Sequence, residues 1–138
     1  MVKEKNKKLN VGHVIIPASH PNPPESHEID AARVLACHFR CTVEFLIPVD
    51  DYKRKSADIA MLGVEWEIKC PSGDSKKTIS AQFRRASKQA KNIIIDTRRT
   101  TLEYDRIEKS VHHEIGKRVM IKRVILINKS SAVVEISR

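Results

Sequence analysis

From Val64 to Cys70 the chain alternates with the period of a half-buried strand. Val64, Trp66, Ile68 and Cys70 fall on one face, and Glu65, Glu67 and Lys69 on the other. The run Asp58 to Leu62 is short and mostly apolar, and Gly63 tolerates the positive φ of a tight reversal. A hairpin is predicted. If its turn centres on Leu62 and Gly63, paired residues have numbers summing to 125, so Asp58 opposes Glu67 with Lys69 two residues further along the same face.

The rest of the chain reads as alternating strands and helices. Val11 to Pro17 is a short apolar run suited to an edge strand. Asn22-Pro23-Pro24-Glu25 has an N-cap residue, prolines for the first helical positions and an acid after them, so a helix is predicted from Pro23 to Phe39. Ile29, Ala32, Leu35, Ala36 and Phe39 form its apolar stripe, and Glu28 falls inside that stripe. Thr42 to Val49 reads as a strand. A second helix is expected over Lys76 to Lys91, with Ile79, Phe83, Ala86 and Ala90 inward, and a third over Tyr104 to Lys117, anchored by Ile107, Val111 and Ile115. Asn92 to Asp96 is a strand buried on both faces, and Lys122 to Asn128 with Ala132 to Ser137 form a closing pair. This order predicts an α/β fold, a mixed β-sheet with flanking helices. Residues 1–19 read as a basic leader with an edge strand, and residues 20–138 as a single domain.

Composition narrows the partners. The net charge is +9 with a pI near 9.7, which suits a polyanion. Aromatic residues make up 4% of the chain, which argues against base-stacking platforms. No apolar run approaches the roughly 20 residues of a membrane span, and no hydrophobic segment follows the charged start, so the expected location is cytoplasmic. Cys37, Cys41 and Cys70 are an odd number and fit reduced thiols. Cys37 and Cys41 have no second ligand pair at zinc-finger spacing.

The chemistry concentrates at the hairpin. Directly opposed residues have Cβ atoms about 4.5–5.5 Å apart, so Asp58 and Glu67 repel unless a cation lies between them. Lys69 balances one charge but not both. A pair of oxygen ligands suits Mg²⁺ or Mn²⁺ better than Zn²⁺. Such an ion with a neighbouring lysine supports phosphodiester hydrolysis, and Glu28 is a candidate third carboxylate. The alternative is two ordinary acids on a solvated sheet face. Lys76, Lys77, Arg84, Arg85 and Lys88, with Arg98 and Arg99 after the buried strand, are candidates for nucleic-acid contact.

Asp58, an eight-residue gap, then Glu67-Ile68-Lys69, with Glu28 on a preceding helix, resembles the PD-(D/E)XK nuclease superfamily. Ala57 stands where that motif has proline. Ser56 to Thr100, with WEIKCPSG, the Ile79 to Gln89 helix and NIIIDTRRT, is similar to the C-terminal tRNase toxin domain of contact-dependent growth inhibition (CdiA) proteins. The resemblance implies a restriction-endonuclease-like core and a metal-dependent tRNase. Glu28, Asp58, Glu67 and Lys69 would be its site, with Asp58, Glu67 and Glu28 as metal ligands. It also implies an immunity partner, expected to be acidic, and delivery of the domain into the target-cell cytoplasm. A DNA endonuclease of the same superfamily and a non-catalytic basic nucleic-acid-binding protein remain the alternatives.

Overall fold

The structure is a computed structural model that describes residues 12–48, 57–75, 77–86 and 91–136. Seven strands form one sheet whose spatial order follows the chain: β1 (His13–Ile15), β2 (Thr42–Phe45), β3 (Ile59–Met61), β4 (Val64–Lys69), β5 (Asn92–Asp96), β6 (Arg123–Ile127) and β7 (Val133–Ile136). Three helices are present among the described residues: α1 (Ser26–Phe39), α2 (Thr78–Ala86) and α3 (Tyr104–Lys117). Each parallel neighbour pair, β1/β2, β4/β5 and β5/β6, has one of these helices between its strands, as a parallel crossover requires. The antiparallel pairs β3/β4 and β6/β7 are closed by short turns.

The two faces of the sheet have separate cores. On one, Ala31, Ala32, Leu35 and Ala36 of α1 pack on Phe45, Ile59, Trp66, Ile68, Ile94 and Ile125. On the other, Ile79 and Phe83 of α2 and Ile107, Val111 and Ile115 of α3 pack on Ile93, Ile95, Val124 and Leu126. The continuous apolar runs of β5 and β6 follow from this, because both strands are covered on both sides. In β4, Val64, Trp66 and Ile68 face α1, which leaves Glu67 and Lys69 toward the side of α2.

Several predicted boundaries move. The first helix begins at Ser26, because Glu25 has the extended backbone of an N-cap and the prolines precede the helix. Glu28 then occupies the third helical position, and its Oε1 accepts the Glu25 backbone N–H at 2.9 Å. β2 ends at Phe45, short of Pro48, which has no N–H for a ladder. α2 ends at Ala86, so the predicted continuation over residues 87–90, like Lys76 and the leader through residue 11, lies outside the described residues. β1 does form the predicted edge strand. It is approached closely by the end of α1, since a Cβ on Gly12 would collide with the Ala36 carbonyl oxygen.

Candidate active site

The hairpin turn builds the site. Leu62 and Gly63 both have positive φ, 56° and 74°, the backbone of a two-residue reversal that matches strand twist. Ile59 pairs with Trp66, Ala60 with Glu65 and Met61 with Val64, so the predicted register holds. One residue beyond the paired segment, the Asp58 backbone N–H donates to the Trp66 carbonyl at 3.0 Å, and the Asp58 carboxyl lies close enough to Glu67 to act on it directly. The Asp58 carboxylate is anchored as well: its Oδ2 accepts the Ile68 N–H at 2.9 Å.

Glu67 is the unusual member. It is 3% exposed, Lys69 Nζ stands 3.6 Å from its Oε1, and its buried Oε2 has no hydrogen-bond partner. Burial, then the neighbouring Asp58 carboxyl, push the Glu67 carboxyl from its ordinary 4.5 up to about 9, and Lys69 only partly opposes them. A buried carboxyl with an orphan oxygen, beside a second carboxyl, lacks positive charge. Two carboxyl groups are the hard oxygen donors that Mg²⁺ or Mn²⁺ prefer. The chemistry of the donor set therefore fits a hard dication.

Glu28 is not brought into this group. It belongs to the helix on the opposite face of the sheet, and its carboxylate is engaged at the start of that helix. Its charge is felt instead at Cys70, which shares the α1 side with Trp66 and Ile68. Among the described residues no group of three or more His, Cys, Asp or Glu is placed to hold a metal ion. The expectation of Glu28 as a third ligand gives way on this geometry: period-two alternation sends Glu67 and the α1 residues to different sides.

The basic candidates divide. Lys77, Arg84 and Arg85 are exposed on or beside α2, on the same side of the sheet as Glu67, whereas Lys76 and Lys88 lie outside the described residues. Arg98 is committed. It donates from Nε and Nη2 to the two oxygens of buried Asp96 at 2.9 and 2.8 Å, and Nη2 also lies 3.3 Å from Asp30 of α1. Arg99 Nη1 donates to the Cys70 carbonyl, and Lys129 Nζ donates to the carbonyls of Thr97 and Thr100. The loop after β5 is thus a clamp between α1, β4 and the β6/β7 turn. Asp96 is the residue that sequence reasoning passed over. Its signal was an acid closing an apolar run two positions before an arginine.

A mixed seven-stranded sheet with α1 on one side and α2 and α3 on the other, and a carboxylate pair beside a lysine on its central hairpin, defines an α/β domain with a candidate hydrolytic site. Residues 55–133, more than half of the chain, match the family model of the contact-dependent growth inhibition CdiA C-terminal domain, and the chain belongs to that family. A chain of the CdiA-CT/CdiI toxin and immunity complex from Burkholderia pseudomallei is similar in fold, with a TM-score of 0.60 at 15% identity. The match covers 91% of this chain and 100% of that one. No curated protein matches.

Proposed function

We propose that the chain is the nuclease domain of a contact-dependent growth inhibition toxin. It is a divalent-metal-dependent endoribonuclease of the PD-(D/E)XK kind that hydrolyses phosphodiester bonds in tRNA. The observation that carries the reading is the Asp58–Glu67 pair, in which Glu67 is buried with an unpartnered oxygen and set beside Lys69. Membership of the CdiA C-terminal domain family supports the toxin role.

Asp58 and Glu67 would hold the ion, and the ion, when bound, polarises a phosphate oxygen and acidifies a water. The β4 backbone pre-positions Asp58, because the Ile68 amide fixes one of its oxygens and leaves the other to point into the site. Lys69 has two tasks: it orients the attacking water, and it offsets the negative charge that builds on the phosphoryl group. The low polarity around Glu67 strengthens both interactions.

An immunity protein is the natural second partner, by analogy with the toxin and immunity complex that shares the fold. With a net charge of +9 on the toxin, an acidic partner surface would speed encounter and lose that advantage at high salt.

Purified tRNA, total RNA and duplex DNA, incubated side by side with Mg²⁺, test the assignment. The wild-type protein cleaves tRNA, EDTA stops it, and Lys69→Ala reduces the rate at least a hundred-fold while the thermal transition is retained. Undiminished cleavage by that variant overturns the mechanism, and cleavage confined to DNA overturns the substrate.

A further inference from the structure

We infer that the groove between α2 and α3 is a binding track for the phosphodiester backbone of the nucleic acid, outside the carboxylate–lysine site. Ser80 from α2 and Lys109, Ser110, His113 and Lys117 from α3 line a cleft of about 420 Å³. A second cleft of about 430 Å³ adjoins it, shares Lys109 and Ser110, adds Arg106 toward the start of α3, and has one acid, Asp74, in its lining.

The arrangement follows from helical spacing. Arg106, Lys109, Ser110, His113 and Lys117 recur at intervals of three and four, so they form one stripe along α3. The helix acids Asp105 and Glu108 fall on the other flank of the buried row Ile107, Val111 and Ile115. The groove flank of α3 is therefore mainly cationic, with two acids within a turn of it: Asp105, four residues before Lys109, and Glu103 at the N-cap, three before Arg106. Glu114 also lines the groove, but its oxygens are held by Arg118 at 3.0 Å and Lys117 at 3.6 Å, so it adds little uncompensated charge. On α2, Lys77 and Arg84 lie on the same flank as Ser80, and that helix carries no acid at all.

The track is long enough and correctly placed. The eleven steps from Arg106 to Lys117 span about 16 Å of helix, enough for several phosphates of one strand. α2 and α3 cover Ile93 and Ile95, the residues that pair with Glu67 and Lys69, so groove and carboxylates share one side of the sheet. Lysine ammoniums, an imidazole and hydroxyls offer donors without an aromatic platform, which suits a backbone held without regard to base sequence.

The inference rests on the nuclease reading only for the identity of the polyanion, and the two are separable by experiment. Fluorescence anisotropy with labelled tRNA in EDTA, with the probe checked for integrity, gives affinity as a function of salt. The double variant Lys109→Ala with Lys117→Ala binds at least ten-fold more weakly, and its salt slope falls by about 1 to 2. His112→Ala, on the acidic flank, leaves affinity unchanged. With Mg²⁺ present, the double variant loses kcat/KM through KM and keeps kcat. If affinity drops as stated but the wild type cleaves nothing, the groove stands and the nuclease reading falls. Cleavage with KM and affinity unaltered in the double variant overturns the groove, as does a wild-type protein that does not bind tRNA.

Discussion

Glu67 concentrates the electrostatic cost of the fold in one side chain. In the metal-free folded protein its carboxyl keeps its proton up to about pH 9, against an ordinary value of 4.5 in the unfolded chain. The folded form therefore binds one more proton at Glu67 across that window, so the contribution of Glu67 to stability is greatest below pH 4.5 and falls as pH rises toward 9. Thermal melts in EDTA from pH 5 to 9 should show the transition falling, and Glu67→Gln should flatten the trend. A wild-type transition independent of pH would contradict the assignment. Arg98 has the opposite character, since its guanidinium satisfies a buried carboxylate. Arg98→Ala strands Asp96 without its partner and should cost about 3–5 kcal/mol in denaturant unfolding. A loss below about 1 kcal/mol would show that water replaces the guanidinium.

At the scale of elements, the β3/β4 hairpin decides whether the site exists, because its two turn residues set the register that brings Asp58 beside Glu67. Leu62 adopts positive φ, a conformation that costs a non-glycine residue about 1–2 kcal/mol, and it is exposed, so it gains little from burial. Leu62→Asn should raise stability by about 0.5–1 kcal/mol, since Asn-Gly is the favoured pair for this turn, and a neutral or destabilising result would argue against the turn geometry. The register was legible in the sequence because a strict two-residue alternation and one glycine leave a single consistent pairing. The third helix, from Tyr104 to Lys117, was legible for a similar reason: its apolar positions recur without interruption. The start of α1 was not, because prolines and an asparagine mimic a helix entry that Glu25 makes instead. Nor was the place of Glu28. Its position inside an apolar stripe is visible in the sequence, but which face of the sheet that stripe covers is decided by long-range packing.

The whole molecule is a basic domain of the CdiA C-terminal family with an acidic pair, Asp58 and buried Glu67, and a cationic groove on the same side of the sheet. On this reading the Asp58–Glu67 pair is a dication site. Calorimetric titration of the metal-free protein with Mn²⁺ at pH 7 tests this most directly, because it needs no substrate. Saturable binding accompanied by proton release is expected, since Glu67 must give up its proton to become a ligand. Glu67→Gln should abolish both signals. Binding of equal affinity in that variant, or binding without proton release, would contradict this reading.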